Sequence, residues 1–249
     1  MKTKTRYGHF GNLSANYAQA RQGFPAEVFD LLWSKLNMPR PKILDVGCGT
    51  GISTRQLTQR GANVIGVDRD QDMLKRAKEN QEPSINYISA AVTDLPFEDE
   101  SFDAVCAFSA FHWFANNKAL GEIYRVLKPQ GAFFIVNKVD DGDFKTGYRM
   151  VMAPFIEGHM PDPTQKYQWS DLLAKNHFGD IETKYFPAIE KFTFENAIAY
   201  LQSISLWNLV SDSRKTEALK AMTDFCLSKR DSEGFINRAL QIQAVLATK

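Results

Sequence analysis

No two cysteines are spaced C-x-x-C, and the chain holds only three of them in 249 residues. A framework of disulfides and a cysteine-based zinc site are therefore ruled out, and such usage fits a reducing compartment. Long apolar runs are also missing, since nothing approaches the ~20 residues that span a bilayer. The opening MKTKTRYGHF has no apolar core of the kind a signal peptide carries. Neither sign of charge dominates. Thirty Lys and Arg face 29 Asp and Glu, a formal net charge of +1, so the chain offers nucleic acid or an anionic membrane no electrostatic attraction. Repeats, low-complexity tracts and linkers are absent as well. What is left is a cytoplasmic chain of ordinary globular composition, without nucleic acid or membrane as a partner.

What is present is an alternation of strand-like and helix-like segments from about residue 25 to 137. PAEVFDLLWSKL (25–36) has helical spacing with Pro25 suited to a first turn. KILDV (42–46) reads as a buried strand, followed by a glycine turn and the helix STRQLTQR. NVIGVD (63–68) is a second strand, and QDMLKRAKEN (71–80) an amphipathic helix ending before Pro83. INYISA (85–90), FDAVCAFS (102–109) and AFFIVN (132–137) are further strands, with the helix NKALGEIYRVLK between the last two. Such alternation at short spacing predicts parallel βαβ units with right-handed crossovers, and a ligand beyond the carboxyl ends of the strands.

After residue 138 the pattern changes. Residues 140–170 mix Gly, Pro, Asp and aromatics without a period, as a loop or helical lid would. ENAIAYLQSISLWNLV (195–210) and TEALKAMTDFCLSK (216–229) are helical by spacing, and INRALQIQAVLAT reads as a final antiparallel strand, with a helix as the alternative. One domain over 1–249 is the economical division: an N-terminal flap (1–25), a nucleotide-binding core (26–139), a lid insertion (140–180) and the C-terminal part of the fold (181–249).

The chemistry is announced by ILDVGCGTG (43–51), three glycines at alternate positions behind a strand. A P-loop would need four residues between its glycines and then Gly-Lys-Ser/Thr, but Ile52 follows Gly51. A dinucleotide fingerprint would place its third glycine at 52, one position later than Gly51. Gly47, Gly49 and Gly51 instead offer bare backbone to a ligand without phosphates, where a side chain would collide with it. Asp68, about twenty residues on at the end of a strand, suits the two hydroxyls of a ribose. Asp45 would repel a pyrophosphate and suits a cation such as the ammonium of S-adenosylmethionine (SAM). The combination favours SAM over NAD.

ILDVGCGTG, VIGVDRDQDML, DLPFEDESFDAV and EIYRVLKPQGAFFIV stand in the order and spacing of class I SAM-dependent methyltransferases, and over residues 10–137 the chain resembles that family. YAQARQGFP (17–25) and SAFHWF (109–114) are similar to the methyltransferase type 11, trans-aconitate methyltransferase-like branch that acts on small molecules. Gln22 and Phe24 depart from that branch's Y-x-x-x-R-P-x-Y-P. The resemblance implies a doubly wound, Rossmann-like, mostly parallel seven-stranded sheet with helices on both faces and a helical lid. It implies SAM as methyl donor, S-adenosylhomocysteine as product, a small-molecule acceptor and no metal. It extends the cofactor-binding set to Thr50, Arg69, Met73, Phe108 and Ser109, and places Ala91 and Val92 where the adenine lies, with Thr93 or Asp94 to reach its amino group.

Cys48, between two glycines and with no basic partner nearby, is a small buried filler whose backbone lines the turn. Tyr17 and Arg21 lie one helical turn apart on the flap, where Arg21 is placed to meet the methionine carboxylate. His112 is the candidate base for an acceptor that starts protonated, and Arg21 or Arg149 would orient an acceptor carboxylate without one. Two other readings stay open: a SAM-binding regulatory module without catalysis, and a nicotinamide oxidoreductase. A nucleic-acid methyltransferase is disfavoured by the balanced charge and by the lack of an N-P-P-Y-like stretch after the fourth strand. The sequence does not distinguish monomer from homodimer.

Overall fold

A computed structural model describes residues 20–79, 85–156, 160 and 169–249. Its elements follow in the order α1 (Ala26–Leu36), β1 (Lys42–Val46), α2 (Ile52–Gln59), β2 (Asn63–Asp68), α3 (Gln71–Glu79), β3 (Asn86–Ser89), β4 (Phe102–Phe108), α4 (Asn117–Val126), β5 (Leu127–Asp140), α5 (Phe144–Met152), α6 (Ser170–Lys175), β6 (Gly179–Phe192), α7 (Phe194–Gln202), α8 (Lys215–Ser228) and β7 (Ile236–Thr248). The seven strands form one sheet in the order β3-β2-β1-β4-β5-β7-β6. The ladders β1–β2, β1–β4, β2–β3 and β4–β5 are all parallel.

β7 runs the other way. Asp141 N donates to Ala239 O, and Lys249 N to Gly131 O, so one number falls as the other rises. The side-chain pairs Arg238–Glu190 and Gln243–Tyr185 show the same inverse progression between β7 and β6. The expected final antiparallel strand is therefore present, and the helical alternative falls away. β1 and β4 are apolar almost throughout because both their faces are covered, as a parallel sheet requires.

The described residues group into two compact units. One comprises, of these, residues 23–79, 85–139, 169–186 and 242–249; the other takes in 20–22, 140–156, 160 and 187–241. The first has a core of Leu44, Val46, Val67, Val105, Phe111, Leu120, Ile123 and Phe133, with Trp169, Leu173 and Phe178 from the later segment. α4 supplies its share through a face of Ala119, Leu120, Ile123 and Val126, and starts at the N-cap Asn116, whose side chain accepts from Ala119 N. Arg125 of the same helix bonds the carbonyls of Leu95 and Phe97 and the carboxylates of Asp99 and Glu122, which fastens the loop between β3 and β4. The second unit packs Phe144, Tyr148 and Met152 of α5 with Tyr200, Leu201, Met222 and Phe225 of α7 and α8.

One expectation changes here. The helix read over 195–210 is broken after Gln202, and a short 3-10 turn, Ser205–Leu209, follows. At the break the Ser203 hydroxyl donates to Tyr200 O at 2.6 Å. Residues 140–170, read as a loop or helical lid, contain the helix α5. No helix among the described residues is long and apolar enough to cross a membrane.

Candidate functional site

β1 ends at Val46, and the chain turns through Gly47, Gly49 and Gly51 with φ of 70°, 55° and 78°. Only glycine adopts such angles repeatedly without strain. The turn is folded back on β2: Gly47 N and Cys48 N both donate to Val67 O (2.7 and 3.0 Å). Gly49 N donates to Asp68 Oδ2 at 2.9 Å, and the other oxygen of Asp68 accepts Asp70 N at 2.9 Å. Asp68 is thus held half-buried by two backbone donors, with lone pairs left on both oxygens. Burial raises its pKa from the usual carboxylate value, against the two backbone donors that lower it.

The glycines divide by what a side chain at each would meet. At Gly47 a Cβ would lie 2.6 Å from that of Ala110 and 3.3 Å from the Phe114 ring. At Gly51 it would run into the Tyr87 hydroxyl, with Tyr87 Cζ at 2.9 Å. At Gly49 it would meet nothing within 4 Å. The sequence reading has all three bare toward a ligand; in the structure Gly47 and Gly51 make room for the protein itself, and Gly49 alone faces open space.

Asp45 lies beneath the turn, 0 % exposed. Its Oδ2 accepts the hydroxyls of Ser53 (3.1 Å) and Thr54 (2.6 Å) from the first turn of α2, while Oδ1 has no partner among the described residues. Burial pushes its pKa up to about 7, against the two hydroxyls and with help from Asp68. Asp45 is thus closed off from solvent. The Thr50 hydroxyl is likewise buried without a partner among the described residues. Cys48 is buried against Leu74, Ala77, Ile85 and Tyr87, and burial pushes its thiol well up, so it is no nucleophile.

Most of the remaining expected residues come to the same end of the sheet. Ala90 N donates to Asp68 O, which brings the turn of Ala91 and Val92 beside β2; Ala91 is exposed and Val92 buried. Asp94 N closes that turn on Ala91 O. Arg69 is exposed, and Met73 is buried on α3, which Asp70 caps by accepting from Asp72 N and Met73 N. Phe108 packs on Phe24, Phe29 and Phe134. Phe24 is itself pinned to α2, since its N–H and carbonyl both bond the Gln56 amide. Ser109 turns the chain at φ +51°, an angle uncommon outside glycine, and donates its N–H to Val136 O. That bend carries Ala110 and Phe114 to Gly47; the ring of half-buried His112 lies 4.7 Å from that of Trp113, centroid to centroid.

Arg21 is bonded within its own unit. It belongs to the second unit, where Nε donates to Ser203 Oγ at 3.0 Å and the guanidinium covers the Tyr200 ring at 4.6 Å. Arg149 belongs to that unit too. Tyr17 lies outside the described residues. Ser53, Thr54, Gln56 and Tyr87 were missed from sequence. Hydroxyls in the first turn of a helix behind a buried acid were the available signal for the first two.

A family model described as "Methyltransferase domain" matches residues 44–135, from β1 to β5. A methyltransferase-like protein of Schizosaccharomyces pombe is 30% identical over 202 residues, covering 77% of this chain and 75% of its relative. The chain belongs to the class I SAM-dependent methyltransferases. Its cofactor is SAM. The demethylmenaquinone methyltransferase of Renibacterium salmoninarum is 37% identical over 114 residues, 45% of this chain and 48% of that one. Among solved structures, phosphoethanolamine N-methyltransferase 2 of Haemonchus contortus, in complex with SAM, shares the fold at a TM-score of 0.56 and 20% identity, over 99% of this chain and 58% of its own. The residues present suit the cofactor. This methyltransferase has a carboxylate with free lone pairs for a diol, open space above Gly49, and a buried acid without a counter-ion below.

Proposed function

We propose that the protein transfers a methyl group from SAM to a small-molecule acceptor, at a carboxylate or hydroxyl oxygen. The observation that carries the reading is Asp68, pinned by Gly49 N and Asp70 N beside the one glycine of the turn that opens to space. When bound, SAM supplies a methyl group on a sulfonium, an activated donor. The chain's own work is then alignment and exclusion of water. Asp68 holds the ribose diol by charge-assisted hydrogen bonds, Gly49 lets the ligand approach the backbone, and the field of Asp45 favours the cationic end. Ala91 and Val92 flank the adenine. His112 takes the proton where the acceptor is a hydroxyl; an acceptor carboxylate needs none. A small-molecule acceptor is supported by the name of the demethylmenaquinone relative and by the balanced net charge.

Two measurements test this. Asp68→Ala should weaken SAM binding in calorimetry by about 1.5–3 kcal/mol, since hydrogen bonds to a charged group are lost. Unchanged affinity would sink the ribose assignment. A screen of carboxylates, phenols and amines with labelled SAM should then give turnover with an oxygen acceptor; transfer to amines alone would correct the acceptor class.

A further inference from the structure

On the sheet edge that carries the glycine turn, β3 places Tyr87 directly opposite Gly66 of β2. Gly66 has an ordinary φ, so its lack of a side chain answers a need for space. A Cβ there would lie 2.7 and 2.8 Å from Cδ1 and Cε1 of Tyr87 and 3.0 Å from Cys48 Sγ. The Tyr87 ring therefore lies flat across β2. It continues past Gly66 to Gly51, where its hydroxyl and Cζ fill the space a side chain would take. Two glycines leave room for one tyrosine, with Arg55 Nη1 also 2.9 Å from a Cβ at Gly51, and Tyr87, Gly51 and Gly66 are all buried.

The hydroxyl reaches beyond the space the ring needs. It has no hydrogen bond of good geometry among the described residues. Thr54, the hydroxyl beside it, donates to Asp45 Oδ2 at 2.6 Å and keeps lone pairs toward Tyr87. Phenylalanine would fill the ring's place. What phenylalanine would not fill is the last atom's width beneath Gly51, where the chain must hold φ +78° at the lip of the SAM site.

We propose that Tyr87 is a positioning residue of the SAM site, its ring seated on Gly66 and its hydroxyl propping the glycine turn from below at Gly51. It touches no ligand. It sets the height of Gly49 and Gly51, and with them the surface on which the amino-acid end of SAM rests. Nearby, Thr50 Oγ1 and Asp45 Oδ1 are buried without partners among the described residues, beside the hydroxyls of Ser53 and Thr54 that Asp45 Oδ2 accepts. The inference rests on the SAM reading above.

The test compares wild type and Tyr87→Phe by calorimetry with two ligands, S-adenosylhomocysteine and 5′-methylthioadenosine, which lacks the amino-acid end, alongside thermal melting. Tyr87→Phe, which keeps the ring, should melt close to the wild-type temperature. It should bind S-adenosylhomocysteine on the order of tenfold more weakly, with 5′-methylthioadenosine affected far less. Unchanged S-adenosylhomocysteine affinity would overturn the proposal, as would a lowered melting temperature with both ligands weakened equally, which marks an ordinary core residue. Failure of wild type to bind either ligand would count against the SAM reading itself. Tyr87→Leu, which removes the ring, should weaken S-adenosylhomocysteine further than Tyr87→Phe; the reverse order would also overturn the prop.

Discussion

Asp45 combines three properties that rarely coexist in one carboxyl group. It is fully buried, one oxygen lacks a partner among the described residues, and its pKa is raised to about 7. The sign of the consequence follows from linkage. The folded state holds the Asp45 proton up to about pH 7, while the unfolded chain releases it near the ordinary aspartate value of 3.8. Folding therefore binds a proton, and stability on this account falls as pH rises from about 4 to about 7. A cation bound above the turn reverses the preference, because it favours the carboxylate. The SAM affinity of the wild type should thus rise with pH through the window just below 7, by up to about tenfold per unit where binding takes the proton off. Asp45→Asn should flatten that part of the profile. Asp68, Cys48, Cys106 and Tyr87 are the titratable groups whose charges bear on Asp45. Of these, Asp68 is the other carboxylate, so a slope that survives in Asp45→Asn would move the assignment to it.

The elements form where local chemistry and packing agree. α4 is such a case, with an asparagine N-cap, an apolar face at helical spacing and an arginine near its end. Asn116→Ala removes the acceptor for Ala119 N and should lower stability by about 1 kcal/mol in denaturant melts, without changing SAM affinity. A change in affinity instead would mean that α4 shapes the site beyond fastening its loop. The same agreement made β1 and β2 legible to the residue, since buried parallel strands are short apolar runs closed by turn signals. β6 shows the opposite. GDIETKYFPAIEKF carries charges throughout and a proline in mid-strand, so it shows no apolar run. Both are features of an edge, and β6 lies at the edge of the sheet, where such residues deter pairing with other chains. Site residues divide in the same way. Asp68 and Gly49 were readable because a carboxylate at a strand end and an alternating glycine turn are local patterns in the sequence. The partners of Asp45, and the tyrosine under Gly51, were not, because what selects them is the space left by residues distant in sequence.

At the scale of the whole chain, β5, β6 and β7 each contribute residues to both compact units. Neither unit can then unfold without unravelling strands of the sheet, and a single cooperative transition is expected. Two perturbations placed in different units test this. In the second unit, Arg238 grips Asp140 with two donors (2.7 and 2.6 Å) and Glu190 with a third (2.8 Å), and all three side chains are buried. Arg238→Ala leaves two buried carboxylates without that partner, a change that costs about 3–5 kcal/mol in comparable cases. For a chain of this size that corresponds to a drop in melting temperature on the order of 10 °C. In the first unit, S-adenosylhomocysteine at about a hundred times its dissociation constant should add about 2.7 kcal/mol and raise the temperature by several degrees. In scanning calorimetry both changes should displace the same peak, and the ligand should partly restore the variant. Two resolved peaks, one lowered by Arg238→Ala and the other raised by the ligand, would show instead that the shared strands do not couple the units.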